Sequence, residues 1–430
     1  MNNKKLPDVN LNLNVRGLPL SATLAINEKS DELRKQGKQI YKLGLGQSPF
    51  PVPQPVVDEL KVHAHEKDYL PVKGLYQLRE AVADYHCRIH GVCFTPDDVM
   101  IGPGSKELMF LLQFVYYGDL VIPTPSWVSY APQALIIGRQ VRWLHTSREN
   151  KWRLTAEQLE SQCKTDPNKP RIVILNYPSN PTGITYTIEE LKKIAKVAKK
   201  YKTILLSDEI YGELHHKGKH VSIARYYPEG TIISGGLSKW CGAGGWRLGT
   251  FVFPSSLRWL IDAIAAMASE TFTSTSAPIQ YAAVRAFRRG SQIEKYLWRC
   301  RWILDELGNK ISNELEKEGI IAPKPDGSFY LFIDFENYRD KLLQRDIKTS
   351  PDLCKRLLED TGVAILPGQA FGMEPEELTA RMAYVDINGI EALNTAMNFD
   401  SRNKINGEFL DLYCPNVLKA ISLIKDWIKI

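Results

Sequence analysis

The segment Ser234-Gly-Gly-Leu-Ser-Lys239-Trp-Cys-Gly-Ala-Gly-Gly-Trp-Arg247-Leu-Gly249 sets an amine inside a glycine-rich loop. A lone lysine is ordinarily a solvated surface residue. This one follows an apolar run, Thr231-Ile-Ile233, that reads as a buried strand, and an arginine stands eight residues further on. An amine held there can attack a carbonyl or move a proton. Glycines let the backbone approach a ligand closely, and the Arg247 guanidinium can grip a phosphate through its planar fork. A second anion-binding feature lies earlier. Ile101-Gly-Pro-Gly-Ser-Lys106 is a tight glycine turn opening an apolar helix, and amides at a helix N-terminus bind anions without a dedicated side chain.

Such groups act together only if the fold gathers them. Arg171-Ile-Val-Ile-Leu175 runs into Asn176-Tyr-Pro-Ser-Asn180-Pro-Thr-Gly183, Thr203-Ile-Leu-Leu206 into Ser207-Asp208-Glu209, and Gly249-Thr-Phe-Val-Phe253 stops at Pro254. Between the first two, Ile188 to Lys200 carries apolar residues at helical spacing. Short β-branched runs alternating with amphipathic helices indicate an α/β fold with a mainly parallel sheet. Ligand crevices in such sheets lie beyond the carboxyl ends of the strands. Asn180, Asp208 and Lys239 each stand just past a strand end, so they are expected to converge.

After about residue 290 the texture changes. The amphipathic stretch Ile293–Glu318 leads to an alternating strand, Gly327–Asp334. A helix over Asp352–Thr361 precedes Val363-Ala-Ile-Leu366, and Arg381-Met-Ala-Tyr-Val385 reads as a further strand. We expect an N-terminal arm over 1–50, holding one helix-like segment (Ala25 to Lys38) and packing with the small domain. A large domain over 51–290 and a smaller α+β domain over 291–430 follow. A polar connection from Asp386 to Pro415 is expected to be a surface excursion ahead of a last helix, Asn416–Ile430.

The composition limits what else the chain can be. Of its 430 residues 44% are apolar and 24% charged, an ordinary balance for a globular protein with a large core. A net charge of +6 is spread thinly, and short basic runs such as Lys199-Lys200-Tyr201-Lys202 read as solvated helix ends; no nucleic-acid partner is expected. No apolar run approaches the roughly 20 residues of a membrane span. The start, Met1-Asn2-Asn3-Lys4-Lys5, has no apolar signal core, so a cytoplasmic protein is expected. Seven cysteines without a Cys-x-x-Cys pair support neither a zinc site nor disulfides; no metal is expected, and the thiols read as reduced and buried. No strand leads into Gly-x-Gly-x-x-Gly with a later acidic residue, against a dinucleotide-binding dehydrogenase. No helix-turn-helix pattern precedes Gly44, against a transcription regulator.

The Asn180-Pro-Thr-Gly183 and Ser238-Lys239…Gly245-Trp-Arg247-Leu-Gly249 segments, in this order, resemble the class I aminotransferases of pyridoxal-phosphate fold type I, the aspartate aminotransferase superfamily. The resemblance covers roughly residues 15 to 385. It implies pyridoxal 5'-phosphate bound as an imine to Lys239, which then serves as the proton-shuttling base. It implies Asp208 beside the cofactor's pyridine nitrogen, Tyr211 and Asn180 on its phenolic oxygen, and Trp127, from Pro123-Thr-Pro-Ser-Trp-Val-Ser-Tyr130, against its ring. Gly104, Ser105 and Lys106 resemble the phosphate cup, completed by Arg247 and Ser238. Many relatives carry a serine where this chain has Gly236, and Ser234 is the residue that could substitute. Tyr69, in Asp68-Tyr-Leu-Pro-Val-Lys-Gly74, resembles the tyrosine that reaches the neighbouring subunit's phosphate, implying a homodimer with shared active sites. Arg381 resembles the arginine that binds the substrate carboxylate, and Gly46, in Leu43-Gly-Leu-Gly-Gln-Ser-Pro-Phe50, a backbone contact to the same group.

The expected activity is amino-group transfer between an α-amino acid and a 2-oxo acid. Lys106 and Thr23 resemble a pair that receives the distal carboxylate of aspartate or glutamate in one bacterial-type branch, with 2-oxoglutarate as acceptor. Aromatic or neutral donors, or a pyridoxal-phosphate lyase or synthase on the same fold, are the alternatives.

Overall fold

The computed structural model describes residues 10–18 and 22–430. In chain order its strands are β1 (Tyr41–Lys42), β2 (Val99–Gly102), β3 (Asp119–Thr124), β4 (Val141–His145), β5 (Arg171–Asn176), β6 (Ile204–Asp208), β7 (Thr231–Gly236), β8 (Gly249–Val252), β9 (Tyr330–Asp334), β10 (Val363–Ala364), β11 (Leu366–Pro367) and β12 (Thr379–Ala383). The large sheet has the order β2-β8-β7-β6-β5-β3-β4. The pairings from β4 through β3, β5 and β6 to β7 are parallel, and β8 runs antiparallel to both its neighbours. The expected strands 171–175, 203–206, 231–233 and 249–253 are therefore present, with ends shifted by one to three residues.

Successive side chains on a strand face opposite ways, and the core divides accordingly. Leu120, Ile122, Ile172, Ile174 and Leu206 join one cluster with Leu108, Met109 and Leu112 of helix Ser105–Val115 and Ile261 and Ile264 of helix Arg258–Thr271. Val121, Val173, Leu175 and Leu205 join another with Leu191, Ile194 and Ala198 of helix Ile188–Lys200. That helix begins at a capping box, where Thr187 accepts from the Glu190 amide at 3.3 Å and the Glu190 carboxylate accepts from the Thr187 amide at 2.8 Å. A sheet covered on both faces exposes only its strand ends to ligand.

The register aligns those ends. Asn176 is opposite Asp208, and Asp208 is opposite Ser234, so three strands present one polar row. The C-terminal region adds the antiparallel sheet β11-β12-β9, with Arg381 at the middle of β12 between Leu366 and Phe332. Strand β1 pairs in parallel with β10, tying the N-terminal segment to the C-terminal region. The run 363–366 is not one strand: it divides at Ile365 between two sheets.

Two further expectations are corrected. The connection from Asp386 to Pro415 is not a surface excursion. It forms helices Gly389–Met397 and Gly407–Tyr413, which bury Ala392, Leu393, Ala396, Phe409 and Leu410 in the core shared with helix Ser291–Lys317. The apolar spacing was masked by the polar stretch 398–404 between them. Nor are all seven thiols free. Cys87, in the last turn of helix Tyr76–His90, forms a disulfide with Cys93 because left-handed Gly91 turns the chain back and brings the two Cα atoms to 4.2 Å. The other five cysteines are free and buried. Among the described residues no helix is long and apolar enough to cross a membrane.

Candidate active site

A cavity of about 420 Å³ opens at the carboxyl ends of β5, β6 and β7. Its wall includes Asn176 and Asn180 past β5, Asp208 and Tyr211 past β6, and Ser238, Lys239 and Arg247 past β7, as the parallel topology requires. Ser105 and Lys106 enter from the helix start, Trp127 from the segment after β3, and Gly46 from the N-terminal segment.

Lys239 is half-buried and donates from Nζ to the Gly46 carbonyl at 2.7 Å. Burial, helped by the positive charges of Arg381 and Arg247, pulls its amine down to about 8, with Asp208 opposing. Asp208 is buried; its Oδ2 accepts the Tyr130 hydroxyl at 2.5 Å and its Oδ1 the Ser234 hydroxyl at 3.3 Å. Burial nevertheless raises its carboxyl to about 6. Asn176 splints the two strand ends: its Nδ2 donates to the Asp208 carbonyl at 2.8 Å and its Oδ1 accepts the Asn180 amide at 2.6 Å.

The Asp208 shift makes a stability prediction. Between pH 3.8 and 6 the folded chain keeps a proton that the unfolded chain releases, so stability falls as pH rises through that window. The penalty is complete above it. Cofactor-free Asp208→Asn is therefore expected to outlast the cofactor-free parent in denaturant at pH 7, by up to about 3 kcal/mol, with the gap closing toward pH 4. An unchanged midpoint at pH 7 would contradict this.

Tyr211 and Tyr330 share a hydrogen bond at 2.8 Å between their hydroxyls, both buried. Above the Tyr330 ring, at 4.8 Å, lies the Arg381 guanidinium, with Phe371 at 5.0 Å as a second aromatic neighbour. Arg381 donates from Nη1 to Asn180 Oδ1 at 3.1 Å and from Nη2 to the Gly44 carbonyl, while its Nε has no partner. It stands one hydrogen bond behind the cavity wall. Among the described residues no carboxylate pairs with it, although it is only 2% exposed.

At the phosphate-like end, Gly104 has φ +92° and precedes helix Ser105–Val115. A Cβ there would overlap the Arg247 guanidinium, so glycine is what lets the arginine lie on the turn. Arg247 itself is left-handed (φ 54°) and donates to the Gly244 carbonyl at 2.9 Å. Lys106 Nζ sits 5.5 Å from the Trp127 ring, and burial lowers its pKa. The departure at Gly236 has a backbone cause: its φ is +149°, and a Cβ would come within 2.6 Å of the Leu248 carbonyl. Ser234 is engaged with Asp208 and does not face that end. Gly236→Ser is accordingly expected to destabilise the fold by about 1–3 kcal/mol, read as a lowered melting temperature.

Two sequence-predicted residues stand apart. Tyr69 is 88% exposed and does not line this chain's cavity, and the Thr23 side chain lies outside the described residues. Three residues were missed. Tyr130 and Tyr330 touch Asp208 and Tyr211 from other elements, which no local pattern announces. Asn176 ends β5 as Asp208 ends β6, and the parallel register could have found it. The donor set fits pyridoxal 5'-phosphate group by group: an amine for its aldehyde, a buried carboxyl for its ring nitrogen, an indole for its face, and helix amides with Arg247 for its phosphate.

Comparison with known proteins agrees. Residues 38–396 match the family model for aminotransferase class I and II. The aspartate aminotransferase of Geobacillus stearothermophilus is 34% identical over 394 residues, 89% of this chain and 96% of that protein. An asparagine–oxo-acid transaminase of Streptococcus mutans is 30% identical over 390 residues, 88% of this chain and 96% of that one. The Thermus thermophilus aspartate aminotransferase structure with maleate superposes with a TM-score of 0.80 at 28% identity, covering 93% of this chain and all of that one. This chain therefore belongs to the class I and II aminotransferases, and like them it transfers amino groups with pyridoxal 5'-phosphate.

Proposed function

We propose that the amino donor is a dicarboxylic amino acid, aspartate or glutamate, with a 2-oxo acid such as 2-oxoglutarate as acceptor. The carrying observation is a second cation without a counter-ion: Lys106, exposed at the cavity wall, has Arg247 as its charged neighbour and no carboxylate among the described residues. A distal carboxylate would supply the missing charge, as Arg381 would receive the carboxylate next to the reacting carbon. The similarity to aspartate aminotransferases, one of them solved with the dicarboxylate maleate, supports the same reading.

The chain's own residues then divide the work. Lys239 would hold the cofactor, and its Nζ would take the proton from the substrate Cα. When bound, the cofactor supplies an electron sink for the pair that this proton leaves behind. Asp208, held by Tyr130 and Ser234, would keep a proton on the ring nitrogen. Tyr211 and Asn180 would hold the phenolic oxygen, and Trp127 would lie against the ring. Gly104, Ser105, Ser238 and Arg247 would anchor the phosphate, while the Gly46 backbone and Arg381 would orient the substrate for cleavage of the Cα–H bond. Tyr69, exposed in one chain, would complete the phosphate site of a second copy in a homodimer.

Donor kinetics test the specificity. Lys106→Ala should cut kcat/KM for aspartate and glutamate by about tenfold, with alanine and phenylalanine changed by less than about twofold. Equal losses for all four donors would remove the distal-carboxylate role and leave neutral or aromatic donors as the substrates.

A further inference from the structure

Asp208 and its sequence neighbour Glu209 serve different environments. Asp208 joins the cofactor cavity, whereas Glu209 turns into a second polar cluster that the reaction does not use. Its Oε1 accepts the hydroxyls of Ser207 at 2.7 Å and Ser222 at 2.6 Å, and its Oε2 lies 2.8 Å from His220 Nε2. His90, the last residue of helix Tyr76–His90, completes the group. One ligand atom from each of His90, Glu209 and His220 lies within 4.8 Å of the other two.

We propose that His90, Glu209 and His220 form a buried binding site for one divalent transition-metal ion of the zinc class, with water as the fourth ligand. Two imidazole nitrogens and one carboxylate oxygen are a donor set that zinc accepts, with metal–ligand distances near 2.0–2.2 Å. Such bonds set ligand atoms roughly 3.3 Å apart, so the Glu209–His220 pair need open by only about half an ångström. A cavity of about 30 Å³ adjoins all three side chains, and a water occupies roughly that volume.

Burial and charge favour a metal over a simple ion pair. His90 is 4% and Glu209 8% exposed, and the Nδ1 atoms of His90 and His220 are buried without a hydrogen-bond partner. The Glu209–His220 contact satisfies one nitrogen of His220 and does nothing for His90. A shared cation would bind both rings and the carboxylate together. The neighbouring carboxylate is already committed: Glu213 is paired with Arg289 and Arg301, so its oxygens do not compete for the ion. The ligands come from a helix end, a strand end and a loop, 119 and 11 residues apart, so no spacing motif reveals them. An ion there would pin those three elements beneath the strand end that carries Asp208.

The test uses the full-length, cofactor-loaded enzyme, stripped with a chelator, reloaded with zinc chloride and desalted. Elemental mass spectrometry should find one zinc per chain, and zinc-edge X-ray absorption should give a nitrogen/oxygen shell with imidazole scattering and no sulfur. His90→Gln and His220→Gln should each weaken zinc binding on the order of 100-fold, and cofactor-free protein should keep the ion. Zinc well below one per chain, a shell containing cysteine sulfur, or retention lost with the cofactor would overturn the site. Unchanged binding in both histidine variants would do the same. The wild-type spectrum decides the matter even if a variant fails to fold.

Discussion

Lys239→Ala will yield a colourless protein whose transamination rate is lower by about 10⁴-fold or more. On the proposed roles the variant would lose both the covalent anchor for the cofactor and the base that moves the Cα proton, and among the described residues the other lysine lining the cavity, Lys106, lies beside Arg247. The shifted pKa sharpens the expectation for the parent. With the amine at about 8 instead of 10.5, roughly half of it is neutral at pH 8, against less than about 1% for an ordinary lysine. Reconstitution of cofactor-free protein should therefore accelerate with rising pH up to about 8 and level off above it. The fold should survive, because alanine removes one hydrogen bond, to the Gly46 carbonyl, worth about 1 kcal/mol. Absorbance spectra and single-turnover assays read the outcome. A yellow, fully active alanine variant would sink the assignment.

Arg381→Lys carries the second large effect, and it tests why the substrates are amino and oxo acids at all. Burying a guanidinium without a counter-ion is unfavourable by several kcal/mol. Here the Asn180 and Gly44 oxygens and the faces of Tyr330 and Phe371 offset part of that, and the unpartnered Nε leaves the offset incomplete. On the proposed role a substrate carboxylate would complete it. Lysine keeps the charge but not the planar fork, so kcat/KM should fall by roughly 10²–10³ for the amino acid and the 2-oxo acid alike. Cofactor binding should persist, since Arg381 does not line the cavity. Unaltered KM values for both substrates would count against the carboxylate role, and loss of bound cofactor would mean that Arg381 acts mainly through Asn180.

Much of this was legible before the fold was known. β-branched runs ending in polar clusters located β5 to β8, because a strand covered on both faces must be apolar along its whole length. Parallel topology then placed Asn180, Asp208 and Lys239 at one crevice. Other features depended on atoms that meet only in space. Tyr130 donates to Asp208 across 78 residues and Tyr211 meets Tyr330 across 119, with no local pattern for either. The helices within 386–415 escaped notice because each is short and its buried face is defined by helix Ser291–Lys317, far away in sequence. The Cys87–Cys93 pairing depended on a left-handed turn at Gly91.

By itself the sequence determined the strand ends that gather Asn180, Asp208 and Lys239 at one crevice, and the family chemistry, since these rest on residue types and on periodicities that act locally. The tertiary structure decided the state of those groups. Burial brings Lys239 down to about 8 and Asp208 up to about 6, and it isolates Arg381 from any described carboxylate. It also gathers His90, Glu209 and His220 beneath the same strand end. The physical reason is that desolvation and charge pairing depend on what surrounds a group in three dimensions, and those neighbours come from segments far apart in the chain.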